Sequence, residues 1–213
     1  MNAALSPVQS SFDARALLAE FFGYGSFRPG QEETIRSIAQ GGSTLAVMPT
    51  GSGKSLCYQL PALAAHGVTL VISPLIALMK DQIDELARLR IPAAFINSTL
   101  SLEAQRDRIA AVMAGEYRLL YVAPERFRSA AFRRMLEHAS VPIVAVDEAH
   151  CVSEWGHDFR PDYLRLRGFF QSIAPASIVA LTATATPKVQ RDIVEQLGLG
   201  EARVIVTGFD RPN

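Results

Sequence analysis

The sequence predicts an α/β domain in which a largely parallel β-sheet is sandwiched by helices. Three observations predict it. Seven short runs rich in Val, Ile, Leu and Ala recur along the chain, they lack polar alternation, and stretches with 3.6-residue periodicity separate them. Strands of that kind are buried on both faces, which is the condition of a parallel sheet covered by its connecting helices. At 213 residues the chain suffices for one domain with a sizeable core. No uninterrupted apolar run is long enough to span a bilayer, so no membrane segment is expected. The N-terminal MNAALSPVQSSFDAR lacks a basic segment followed by an apolar one, so no secretory signal is expected either.

Taken in order, the expected strands are Thr44–Met48, Val68–Ser73, Ala93–Asn97, Leu119–Ala123, Ile143–Asp147, Ile178–Thr182 and Val204–Thr207. Periodic stretches at Leu75–Leu89, Leu102–Met113 and Lys188–Leu197 are expected helices. Ser101 sits where a side-chain oxygen would cap the second of these, and Gly198 where a left-handed residue would end the third. The domain is expected over residues 1–205. Residues 206–213, which end Gly-Phe-Asp-Arg-Pro-Asn, read as the start of a linker.

The 21 basic and 21 acidic residues cancel, so any nucleic-acid binding must use local patches and aromatic platforms. Arginines cluster at Arg126, Arg128, Arg133 and Arg134, and again at Arg160, Arg165 and Arg167; both clusters read first as solvated helix faces. Cys57 and Cys151 are far apart and lack metal-type spacing, which fits a reducing cytoplasm or nucleus better than a disulfide framework.

The chemistry begins at Met48-Pro-Thr-Gly-Ser-Gly-Lys-Ser55, where a strand gives way to a glycine-containing loop that opens a helix. Gly51 and Gly53 let the backbone of Thr50, Gly51, Ser52 and Gly53 fold tightly, so that several N–H groups face a phosphate. Lys54 would reach the β- and γ-phosphates of a nucleotide, and the hydroxyl of Ser55 would bind Mg²⁺. The strict pattern has glycine where this chain has Met48, but the phosphate-facing glycines are intact. One of the chain's three lysines stands at this spot, which argues against an ordinary surface turn. Cys57 and Tyr58 read as packed helix residues.

In Ile143-Val-Ala-Val-Asp-Glu-Ala-His150 an apolar strand delivers two carboxylates to its C-terminal end, where ligands bind in open α/β sheets. Asp147 would hold Mg²⁺ and Glu148 would orient and activate the attacking water. An acidic helix start is the plain alternative; the phosphate loop about a hundred residues earlier makes it the lesser one. His150 by itself reads as a hydrogen-bonded structural histidine.

Asp147 to His150 spell DEAH, and the chain resembles the RecQ family of superfamily 2 DNA helicases over nearly its whole length. Phe22-Gly-Tyr-Gly-Ser-Phe-Arg-Pro-Gly-Gln31 is similar to that family's motif 0, Pro49–Gln59 to motif I, and Ser73-Pro-Leu-Ile-Ala-Leu-Met-Lys-Asp-Gln82 to motif Ia. Tyr121-Val-Ala-Pro-Glu-Arg126 resembles the next motif and Ala180-Leu-Thr-Ala-Thr-Ala-Thr186 resembles motif III. Cys151-Val-Ser-Glu-Trp-Gly-His-Asp-Phe-Arg-Pro161 looks like the aromatic-rich loop that separates RecQ proteins from DEAD-box relatives. The resemblance implies a single RecA-like P-loop NTPase lobe that binds ATP with Mg²⁺, with His150 beside Lys54, Asp147 and Glu148 in the catalytic set. It implies single-stranded and duplex DNA as partners, a second RecA-like lobe, a monomer, and 3′ to 5′ unwinding in recombination or repair. A lobe of an RNA helicase, or a nucleotide- and DNA-binding module without useful turnover, are the other readings.

Residue by residue, Tyr24 would stack on adenine, Arg28 would lie against the base and Gln31 would pair with its edge. Phe21, Phe22 and Phe27 read as a small core under the N-terminal helix. For Trp155, His157, Phe159 and Arg160, spacing alone slightly favours core packing; the resemblance reverses that order in favour of stacking on single-stranded nucleic acid. Thr182 and Thr184 would hydrogen-bond the DEAH carboxylates, although a Thr-rich strand end also suits capping of the helix from Pro187. Ser73, Lys80, Asn97, Ser98, Pro124 and Arg126 follow other strand ends, where they would grip phosphates of a strand. Lys80 has the alternative of pairing with Asp84 at helical spacing.

Overall fold

The computed structural model describes residues 7–156 and 158–208. Seven strands, β1 (Ser43–Val47), β2 (Thr69–Ile72), β3 (Ala93–Ile96), β4 (Leu119–Val122), β5 (Ile143–Val146), β6 (Ser177–Thr182) and β7 (Arg203–Val206), form within a residue of the expected runs. They make one sheet in the order β3-β4-β2-β5-β6-β1-β7, and every pairing is parallel. Eight helices accompany it among the described residues: α1 (Ala14–Phe22), α2 (Gln31–Ala39), α3 (Leu56–Leu63), α4 (Ile76–Arg88), α5 (Leu102–Met113), α6 (Ala130–Leu136), α7 (Leu166–Ile173) and α8 (Pro187–Leu197).

The strand period of two splits the core into two layers. Leu45, Val47, Leu70, Ile72, Val144 and Val146 pack with side chains of α5, α6, α7 and α8. Their neighbours Ala46, Val71, Ala145 and Leu181 pack with α2, α3 and α4. Each Val, Leu or Ile side chain among these, taken fully from water, contributes roughly 1.5–3 kcal/mol, which is why both faces of the central strands are apolar. β7 departs from that expectation: Val204 and Val206 are exposed and only Ile205 is buried. It pairs with β1 alone, at the end of the strand order.

Local signals set the helix ends. The Ser101 hydroxyl accepts from the Ala104 N–H, and Gly198 closes α8 at φ 67°. Thr186 accepts from the Val189 N–H and so caps α8, as the Thr-rich strand end allowed.

The strand order decides where the loops meet. β1 lies beside β6, and β6 beside β5, so the chain passes over two strand positions between β1 and β2. The segments that leave β1, β6 and β5 therefore emerge side by side at the carboxyl edge of the sheet, the edge at which open α/β sheets bind ligands.

Candidate functional site

The phosphate loop leaves β1 with Met48 buried in the core, its N–H donating to the Thr182 carbonyl at 3.0 Å. That packing is why a large side chain is accommodated at the first position of the motif. Gly51 and Gly53 both have φ of 78°, a left-handed conformation that costs a β-carbon-bearing residue roughly 1–2 kcal/mol. The backbone N–H groups of Gly51, Gly53, Lys54 and Ser55 have no hydrogen-bond acceptor among the described residues. Unpaired amides turned towards a helix start form a concavity suited to an anion. Lys54 Nζ donates to the carbonyls of Met48, at 3.1 Å, and Pro49, at 3.3 Å.

Beside this loop lies a cleft of about 250 Å³ whose walls include Phe22, Tyr24, Arg28, Gln31, Ser55 and Gln59. Tyr24 is 55% exposed there, while Phe22, the last residue of α1, and Phe27 pack against Leu18, Ile35, Leu56 and Leu60. The sequence places the Gln31 carboxamide on a base edge; the structure turns it onto the phosphate loop. Its Nε2 donates to the carbonyls of Ser52 and Gly53, at 3.0 and 3.1 Å, and its Oε1 accepts from the Arg28 N–H at 2.8 Å. Arg28 in turn donates to the Gly51 carbonyl. Burial explains the difference, since an amide at 3% exposure needs partners within the protein.

Asp147 follows β5, its N–H tied to the Ile72 carbonyl at 2.8 Å and its carbonyl to the Tyr163 hydroxyl at 3.1 Å. Burial, and then the neighbouring Glu148 charge, push its carboxyl up to about 6. The Glu148 N–H, the Lys54 ammonium and the Ser73 hydroxyl pull the other way. Ser73 Oγ is close enough to act on that carboxyl yet lies outside hydrogen-bond geometry, and it is buried without a partner. A half-desolvated acidic pair beside an unpartnered hydroxyl fits a hard divalent cation, which takes oxygen ligands and would favour the ionised form. Glu148 itself sits at φ 48°, ψ 46°, a left-handed backbone that non-glycine residues rarely adopt.

His150 joins this pair to β6. Its Nδ1 lies 2.9 Å from Thr182 Oγ1 and 3.3 Å from Glu148 Oε2. The Thr182 hydroxyl donates to the Thr184 carbonyl at 3.1 Å, so it accepts from His150, which assigns the proton to Nδ1. The sequence places the hydroxyls of Thr182 and Thr184 on the carboxylates themselves. In the structure His150 stands between, because parallel pairing brings the end of β6 against the turn that follows the acidic pair. The Thr184 side chain is exposed.

Trp155 is 64% exposed, against the core position that spacing favours. Phe159 is half-buried, and Arg160 pairs with Asp158 at 2.9 Å. His157 lies outside the described residues. Of the residues expected to grip phosphates, Lys80 is exposed on α4 and forms no ion pair with Asp84 among the described residues. Ser98 is exposed, Pro124 is buried, and the Asn97 carboxamide accepts from Thr99 within its own turn. Of the two arginine clusters, Arg128, Arg134, Arg165 and Arg167 are exposed, as solvated faces require; Arg126 is half-buried and donates to Gln105 at 2.6 Å, and Arg128 forms a two-pronged pair with Asp162. Burial pushes the thiols of Cys57 and Cys151 up to about 12, which leaves both unreactive. Sequence reasoning missed Tyr163, Ser153 and Asp192; no spacing marks them, since each acts through a contact across the chain.

A phosphate loop after β1, an acidic pair after β5 and a histidine-linked strand end on β6 meet at the carboxyl edge of the sheet, the layout of a phosphate-loop lobe. Residues 28–193 match the DEAD/DEAH box helicase family, and the chain belongs to it. It is 50% identical over 94% of its length to the ATP-dependent DNA helicase RecQ of Bacillus subtilis, and 48% identical over 98% to that of Haemophilus influenzae, covering 34% of each. The chain thus spans about a third of the length of the curated relatives it matches. Among solved structures it superposes on Mycobacterium smegmatis helicase Lhr bound to ssDNA and AMP-PNP with a TM-score of 0.70, at 23% identity, over 96% of this chain and 28% of that one. That likeness is one of fold: a RecA-like helicase lobe.

Proposed function

We propose that this chain is the nucleotide-binding motor lobe of an ATP-driven DNA helicase that moves 3′ to 5′ and serves recombination or repair. The observation that carries the reading is the meeting, at one sheet edge, of unpaired phosphate-loop amides, the Asp147–Glu148 pair and the His150–Thr182 link. The amides of Gly51, Gly53, Lys54 and Ser55 take the phosphates of ATP. Lys54 leaves the Met48 and Pro49 carbonyls for the β- and γ-phosphates, and Tyr24, Arg28 and Gln31 border the adenine. Mg²⁺, held by Ser55 and Asp147, would offset the charge that gathers on the phosphate oxygens. Glu148 accepts a proton from the attacking water as its oxygen bonds to the γ-phosphorus and the bond to the leaving β-phosphate oxygen breaks. His150 holds Glu148 and passes its position to Thr182. Trp155, Phe159 and Arg160 meet a single strand, with Lys80, Arg126 and Thr184 along its path, whereas the buried Ser73 hydroxyl faces Asp147.

A second RecA-like lobe completes the site. An arginine finger of the kind such lobes supply is worth roughly 10³–10⁵ in rate, and translocation needs two bodies that open and close. The 213-residue chain by itself is therefore expected to bind nucleotide weakly, hydrolyse ATP very slowly and unwind nothing. Phosphate release and strand separation on 3′-tailed and 5′-tailed duplexes, with this chain and with the two-lobed protein, test the proposal. Unwinding of the 3′-tailed duplex by the two-lobed protein alone is the expected result. ATP-dependent unwinding by the single lobe, or a preference for the 5′ tail, overturns it.

A further inference from the structure

Two side chains one turn apart on α8 reach the aromatic-rich loop. Asp192 Oδ2 accepts from the Ser153 hydroxyl at 2.5 Å, and Lys188 Nζ lies 3.0 Å from the centroid of the Trp155 ring. Positions 188 and 192 share one side of the helix by the i, i+4 rule. Ser153 is fully buried, and its hydroxyl also accepts from the Trp155 N–H at 3.2 Å. Gly156 closes the turn so tightly that an added β-carbon would lie 2.6 Å from the His150 carbonyl oxygen. The root of the loop is thus tied to the DEAH segment on one side and to α8 on the other. Beyond Ser153, Trp155 is 64% exposed, so the ring rests under an ammonium and not within a core. That ammonium covers a ring face on which a base would stack.

We propose that Lys188 and Asp192 are positioning residues, a clamp by which α8 holds the aromatic-rich loop at rest and against which a stacking strand must work. The inference rests on the reading of that loop as the element that meets single-stranded DNA. Neither residue touches the nucleotide site. α8 begins straight after Thr182 and Thr184, so release of the clamp acts on the segment that contacts His150.

Trp155 is the single tryptophan of the chain, so its emission reports this contact directly. The test uses the chain with Lys188→Ala, Lys188→Arg and Asp192→Ala, acrylamide quenching of the indole, and anisotropy of a labelled oligothymidylate at fixed ionic strength. Lys188→Ala is expected to raise the quenching constant and Lys188→Arg to restore it, with melting temperatures unchanged. Lys188→Ala and Asp192→Ala are both expected to lower the half-saturating strand concentration, by roughly two- to fivefold for the exposed cation contact. The two substitutions change charge in opposite directions, so a shared direction separates release of the clamp from attraction of phosphates. Quenching that is unchanged in Lys188→Ala overturns the clamp, as does weaker strand binding by that variant. Wild-type emission that ignores the strand while anisotropy saturates sinks the reading of the loop instead, and the quenching comparison still decides the clamp.

Discussion

Asp147→Asn is expected to make the metal-free lobe more stable while removing its chemistry. The carboxyl titrates near 6 in the fold against 3.8 unfolded, raised first by burial and then by Glu148. An acid whose folded pKa lies above its unfolded one takes stability away as pH rises. Below 3.8 both states are protonated and nothing is lost; between 3.8 and about 6 the unfolded state releases its proton first; above 6 the full penalty stands. Two pKa units correspond to about 3 kcal/mol. Asp147 keeps partial contact with solvent, which screens the charge and brings the expected penalty to about 1–2 kcal/mol. Asparagine removes that charge and keeps the oxygen that accepts from the Glu148 N–H. At roughly 2–4 °C per kcal/mol for a chain of this size, the variant should melt about 2–8 °C above the wild type at pH 8 in chelator. The gap should close towards pH 4. Circular-dichroism melts of both proteins across that range measure it, and the difference between them isolates this position from other titrating groups. A variant that melts at or below the wild-type temperature at pH 8, or a gap that widens as pH falls, refutes the reasoning.

Two further substitutions separate chemistry from packing. Lys54→Ala should abolish hydrolysis in the two-lobed protein with the circular dichroism spectrum unchanged, because among the described residues the ammonium hydrogen-bonds to the Met48 and Pro49 carbonyls alone; hydrolysis at the wild-type rate would sink its role. Trp155→Ala should alter stability by about 0.5 kcal/mol or less, as exposed residues do, where a buried aromatic would cost roughly 3–5 kcal/mol. In the two-lobed protein basal turnover should persist and most stimulation by single-stranded DNA should be lost, as a melt beside a DNA titration would reveal; a large fall in melting temperature with stimulation preserved would count against a sensing loop.

The sequence by itself determined the seven strands, the capped ends of α5 and α8, the tight loop before Lys54 and the acidic pair after β5, because each depends on residues near one another in the chain. Apolar runs state that a strand is buried, and glycines that a turn is tight, wherever the segment lies. Only the tertiary structure decided that the ends of β1, β6 and β5 lie side by side, since strand order depends on crossovers that no local pattern encodes. From that order follow the Met48 to Thr182 hydrogen bond and the placing of His150 between Glu148 and Thr182. Periodicity could not say that Trp155 is exposed, nor that β7 shows Val204 and Val206 to solvent, because an apolar residue reads alike in a core and on an uncovered edge. Lys188 and Asp192 carry no motif either. Their contacts with Trp155 and Ser153 exist because β6 pairs with β5, so that α8, which leaves β6 on the way to β7, runs beside the loop that follows the DEAH residues.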